Sequence, residues 1–160
     1  MKHVALALCL LLIAVQPAVA EPTYRAFVTN ENDGTLSVLD IRSGKVETTV
    51  SVRKRPRGIG FSPDRSQVYV AIGEDDAIAV VDTRTLQVVK KLPAGSDPET
   101  FAVHPNGHIY LSNEDANKAS VLDPAAGNVV AEIPVGIEPE GVSISPDGKL
   151  AMVTSESTHM

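Results

Sequence analysis

Cysteine is almost missing from this chain: of its 160 residues only Cys9 carries a thiol. It sits in an N-terminal segment expected to be removed, so the rest of the chain has no disulfide framework. It also has no Cys-x-x-Cys-His haem attachment and no cysteine-based metal site. Leu8, just before Cys9, is too bulky for a lipoprotein cleavage box. An exported chain without thiols suits an oxidising periplasm. Basic residues are also in deficit, 14 Lys and Arg against 20 Asp and Glu, a formal charge of −6. Loss of Lys2 with the N-terminal segment makes it −7. Such a chain repels phosphate backbones, so no nucleic-acid partner is expected. The one basic cluster, Arg53-Lys54-Arg55 with Arg57, reads as a solvated loop.

Long apolar runs are lacking too. The only one, Val4 to Val15, falls short of the roughly 20 residues a spanning helix needs. It follows Met1-Lys2-His3 and precedes Ala18-Val19-Ala20, a small-x-small cleavage site. Residues 1–20 therefore read as a secretory signal peptide rather than an anchor, giving a periplasmic protein with no membrane association after cleavage. Nucleophile signatures such as Gly-x-Ser-x-Gly are absent. No histidine pair has metal spacing, and Ser155 with His159 lacks a placed acid. No catalytic residue, no metal and no cofactor is expected on these grounds.

What the chain does have is a period. Asp40, Asp82 and Asp123 stand 42 and then 41 residues apart. Phe27, Tyr69 and Tyr110 keep the same steps, as do Pro56, Pro98 and Pro139, and Pro63, Pro105 and Pro146. A fixed period near forty residues signals a repeat architecture. Residues 21–160 divide into repeats at about 24–56, 57–98, 99–139 and 140–160.

Each repeat reads as four short strands. In the second copy these run from Arg57 to Phe61, Gln67 to Ala71, Ala77 to Val81 and Leu86 to Leu92. β-Branched and aromatic residues fill them, and turn formers separate them. Pro63-Asp64, Pro105-Asn106-Gly107 and Pro146-Asp147-Gly148 are turns in which proline presets one angle and Asp or Asn bonds its own backbone. Asp33-Gly34 is a hairpin signal, which explains Asn30 to Gly34 better than a calcium loop does. Third strands such as Ile78, Val80 and Val81 are apolar on both faces. Sheets covered on both faces fit the stacked blades of a β-propeller. A β-sandwich would explain the short strands but not the constant period. The expected fold class is all-β, with four-stranded antiparallel blades.

Phe27-Val28-Thr29-Asn30, Ser37-Val38-Leu39-Asp40, Ile133-Pro134-Val135-Gly136 and the run from Pro139 to Gly148 resemble the YVTN family of β-propeller repeats. Arg55-Pro56-Arg57-Gly58, Asp97-Pro98-Glu99, Asn113-Glu114-Asp115, Glu138-Pro139-Glu140-Gly141 and Thr154-Ser155-Glu156 are similar to the periplasmic propeller associated with PQQ-dependent catabolism. The resemblance implies a partner: a periplasmic quinoprotein dehydrogenase or its c-type cytochrome. It also implies about seven blades in a chain about twice this length. The 160 residues are accordingly expected to be an N-terminal half, an open arc of about three blades plus part of a fourth. The first copy would lack its innermost strand, and the last would hold two strands.

Strand order puts the loop into each first strand and the loop between second and third strands on one rim. Arg57, Glu99 and Glu140 occupy one repeated position there. Glu31, Glu114 and Glu156 occupy another, where the second copy has Gly73. With Asn113, these are the candidate ligand or partner residues, since convergent polar groups at a concave mouth mark a site. Arg57 paired to a neighbouring glutamate as structural glue would explain the same pattern. Asp40, Asp82 and Asp123 belong to the opposite face and read as turn residues.

Two functions compete. A non-enzymatic periplasmic binding or accessory module accounts for a repeat scaffold without a nucleophile or a cofactor motif. A metal-dependent lactonase-like hydrolase would use the oxygen ligands of Glu31, Asn113, Glu114 and Glu140, which suit hard cations. A surface-layer or adhesion propeller is a weaker reading, as no anchor or linker is evident.

Overall fold

The computed structural model describes residues 24–157. The expected signal peptide, with Cys9, lies outside them, as does His159. Thirteen strands follow in order: β1 (Arg25–Asn30), β2 (Thr35–Asp40), β3 (Lys45–Ser51), β4 (Pro56–Phe61), β5 (Gln67–Ile72), β6 (Ala77–Asp82), β7 (Gln87–Pro93), β8 (Pro98–Val103), β9 (Ile109–Asn113), β10 (Lys118–Asp123), β11 (Asn128–Pro134), β12 (Pro139–Ile144) and β13 (Ala151–Ser155). They form four antiparallel meanders: β1-β2-β3, β4-β5-β6-β7, β8-β9-β10-β11 and β12-β13. These are blades of three, four, four and two strands, the open arc expected from the repeats. Among the described residues no helix is long and apolar enough to cross a membrane.

Register carries the period into space. Phe27 pairs with Val38, Tyr69 with Val80 and Tyr110 with Val121. A bulge recurs between Val38 and Leu39, Val80 and Val81, and Val121 and Leu122. A second recurs on each innermost strand, between Pro56 and Ile59, Pro98 and Phe101, and Pro139 and Val142. A bulge re-aims the side chains beside it. In this chain the second set falls beside the rim residues.

The two-sided apolar strands are explained by packing on both faces of the second blade. Val68, Val70, Ile72, Ala79 and Val81 face the first blade, where Leu36 and Val52 meet them. Tyr69, Ala71, Ile78 and Val80 face the third blade, against Phe101, Ile109, Leu111 and Leu122. Alternate residues thus point to opposite neighbours, as the strand period of two dictates. The turn aspartates behave as expected. Asp82 Oδ1 accepts from the backbone N–H of Arg84 and Thr85, and Asp123 Oδ1 from Ala125 and Ala126. Asp40 Oδ1 accepts from the Ser43 N–H. His104 takes the place of a turn serine, accepting from the Asn106 N–H at Nδ1, while its Nε2 lies 2.8 Å from the Gly148 carbonyl oxygen in the next blade.

Candidate functional site

The rim is tied together by a backbone bond that repeats. Gly73 N–H donates to the Arg55 carbonyl, Glu114 N–H to that of Asp97, and Glu156 N–H to that of Glu138. Each bond joins the loop after a second strand to the residue just before a rim proline. Arg55, Asp97 and Glu138 all take left-handed backbone angles, with φ of 55°, 41° and 53°. For a non-glycine residue that conformation is sparsely populated, and before proline an extended one is the norm. A strained backbone held in three successive blades sets a charged side chain at the same place in each.

Arg55 and Arg57 then reach carboxylates from both neighbouring blades. Arg57 Nη1 donates to Glu31 Oε1 at 3.3 Å, and its Nη2 lies 2.5 Å from Glu99 Oε2. Arg55 donates to Asp97 Oδ2 at 3.2 Å and to Glu99 Oε1 at 3.3 Å. Its Nε stands 3.9 Å from Glu31 Oε1. Close approach of the inner strands makes this possible. A Cβ on Gly58 would lie 2.9 Å from the Glu99 carbonyl oxygen, so a side chain there would push β8 away from β4.

Glu99 is the centre of the group and its side chain is fully buried. Burial pushes its carboxyl up to about 8, helped by a hydrogen bond to Glu114 and by the negative charge of Glu114 and Asp97, while Arg57 pulls the other way. Oxygens of Asp97, Glu99 and Glu114 lie within 4.8 Å of one another. Two buried atoms of this group, Asp97 Oδ1 and Glu99 Oε2, have no hydrogen-bond partner. Arg57 Nη2 is close to the second of these only as a charge contact.

Of the residues singled out in the sequence, Glu31, Arg57, Glu99 and Glu114 meet in this one cluster. Glu140 and Glu156 belong to the next blade, and among the described residues neither has an ion-pair partner. The Glu140 backbone carbonyl accepts from Ser112 Oγ at 2.7 Å and from the Thr100 hydroxyl. Asn113 is not available to the rim. Its Nδ2 donates to the carbonyls of Ala94 and Ser96, and its Oδ1 accepts from Ser120, so the buried carboxamide ties the β7–β8 connection to the third blade. Arg55 and Asp97 were missed as site residues. The signal for them was a charged residue before each rim proline.

Meandering four-stranded blades packed face to face, with a charged rim on their inner strands, define a β-propeller. The model of the YncE-like β-propeller family matches residues 42–150, and the chain belongs to that family. Among curated proteins it is similar to the uncharacterized protein YncE of Salmonella typhimurium, 27% identical over 90 residues, and to YncE of Salmonella typhi, 26% identical. Each match covers 56% of this chain and 25% of the relative, so the aligned part spans about a quarter of those proteins. Among solved structures it is similar to hydrazine synthase of Kuenenia stuttgartiensis, with a TM-score of 0.79 and 27% identity, over 86% of this chain and 40% of that one.

Proposed function

We propose that the protein is a non-enzymatic binding or accessory propeller of the periplasm. It would serve a PQQ-dependent alcohol-oxidation system by meeting a quinoprotein dehydrogenase or a c-type cytochrome. The observation that carries this reading is the rim itself. Its arginines are occupied by carboxylates, while Glu140 and Glu156 present charge without an ion-pair partner among the described residues. Charge displayed on a rim steers association with a basic partner surface and is weakened by salt. The resemblance in the rim motifs supplies the partner class. The test is equilibrium binding of the full-length protein to the dehydrogenase and to the cytochrome at low and high salt. Binding that weakens with salt and with Glu140→Gln plus Glu156→Gln supports the reading. No interaction at low salt with either partner overturns it.

A second reading, a metal-dependent lactonase-like hydrolase, is favoured by the convergence of Asp97, Glu99 and Glu114. Lactone hydrolysis that is abolished by a chelator and restored by a divalent cation would support it. A protein that is inactive with every divalent cation would rule it out.

A further inference from the structure

We propose that Asp97, Glu99 and Glu114 hold a hard divalent cation of the Ca²⁺ or Mn²⁺ type at the rim of the third blade. The set differs from the one the sequence suggested, since Asn113 is committed elsewhere and Glu140 stands in the next blade. Three observations carry it. The first is spacing. Oxygens of the three residues lie within 4.8 Å of one another, and two ligands on one Ca²⁺ at about 2.3–2.6 Å are at most about 5 Å apart.

The second is satisfaction. Buried polar atoms are nearly always hydrogen-bonded. Among the described residues, the two buried side-chain atoms without a hydrogen-bond partner are Asp97 Oδ1 and Glu99 Oε2, both in this cluster. Glu99 Oε2 already meets the Arg57 guanidinium as a charge contact, so the lone pair left open is on Asp97 Oδ1. Glu99 is 0% exposed and Asp97 8%. A cation accepts lone pairs that no donor fills.

The third is charge. Glu31, Asp97, Glu99 and Glu114 bring four carboxylates to Arg55 and Arg57, which bring two guanidiniums. When all are ionised the group lacks two positive charges, and with Glu99 protonated it lacks one, so it is anionic in either state. Oxygen-only ligands select hard cations over zinc or copper. Arg55 and Arg57 keep 35% and 27% side-chain exposure and can turn outward to make room. The proposal holds whether or not the protein catalyses a reaction, because cation binding is read without an activity.

The test uses full-length protein stripped with a chelator and titrated with Ca²⁺, Mn²⁺ and Mg²⁺, read by calorimetry and by thermal midpoint. A ligand that binds only the folded state raises the midpoint progressively with concentration. One site per chain is expected. Glu114→Gln, at a half-buried position, should weaken binding at least roughly tenfold, and Asp97→Asn should do the same in an independent variant. Glu156→Gln, the equivalent position one blade on, should change it by less than about twofold. Arg57→Gln should tighten binding, since it removes a competing charge. No heat and no midpoint shift at roughly millimolar concentration of any of the three ions would overturn the proposal. So would equal affinities in Glu114→Gln and Glu156→Gln.

Discussion

Gly73 and Asp97 fit against one another: a Cβ on Gly73 would lie 2.4 Å from Asp97 Oδ1. The same Cβ would come 3.6 Å from the Arg55 guanidinium carbon. Glycine at this one place in the second blade therefore leaves room for the Arg55–Asp97 pair. Gly73→Ala should displace the Asp97 carboxylate and cost about 1–3 kcal/mol, as overpacking does. Denaturant unfolding measures it, and Asp97→Ala in the Gly73→Ala background should recover part of the loss. If Gly73→Ala is neutral, the fit described here does not matter to stability.

Glu99 should be the costliest rim residue to remove. Glu99→Ala strands two guanidiniums that share its carboxylate. Breaking a buried pair costs about 3–5 kcal/mol. A cost below that range is expected at neutral pH, because the arginine side chains are 35% and 27% exposed to water and burial pushes the Glu99 carboxyl up to about 8, leaving it largely protonated there. With Arg55 and Arg57 both changed to Met, the same substitution should cost clearly less. Equal costs in the two backgrounds would show that the ion pairs contribute nothing.

The turn aspartates predict the acid behaviour. The backbone N–H and hydroxyl of Thr85 hold the Asp82 carboxyl below its ordinary value of 3.8, and backbone N–H groups do the same for Asp40 and Asp123. A folded-state value below the unfolded one gives stability that is present above the unfolded value and lost as pH falls through the folded one. The thermal midpoint should therefore fall below about pH 4. Asp82→Asn should make that fall shallower while leaving the dependence above pH 5 unchanged. A scan of midpoints across acid pH checks it.

Asn113 should affect stability and leave the rim alone. Asn113→Ala removes donors to the Ala94 and Ser96 carbonyls and the acceptor for Ser120. Stranding buried polar groups costs about 1–3 kcal/mol. Unfolding should show that loss, while partner binding measured well below the unfolding temperature stays as in the parent. Weakened binding without lost stability would return Asn113 to the rim.

The fold was legible because its punctuation repeats. Asp40, Asp82 and Asp123 mark the same turn, and Phe27, Tyr69 and Tyr110 hold the same register opposite Val38, Val80 and Val121. Strand limits in the second blade differ from the expected ones by one residue at one or both ends: pairing begins at Pro56 and Gln87 and continues into Ile72, Asp82 and Pro93. The cluster was only half legible. Glu31, Arg57, Glu99 and Glu114 follow from strand order, but Arg55 and Asp97 depend on left-handed backbone before proline, which local preference argues against. Asn113 follows the same alternation as a rim residue would, and only its partners show that it turns inward. Gly73 looked like a gap in a row of glutamates. In space that gap is filled by a carboxylate from the neighbouring blade.

The repeated backbone bond at the rim makes successive blades nearly interchangeable as scaffolds, yet their charges are not. Positions 55, 97 and 138 carry Arg, Asp and Glu, and positions 57, 99 and 140 carry Arg, Glu and Glu. Turning the arc by one blade superimposes the main chain but lays a guanidinium on a carboxylate. The two arginines thus act as an index mark on an otherwise rotationally pseudo-symmetric dial. A body seated over the axis would meet a different charge pattern at each angular setting among the blades described.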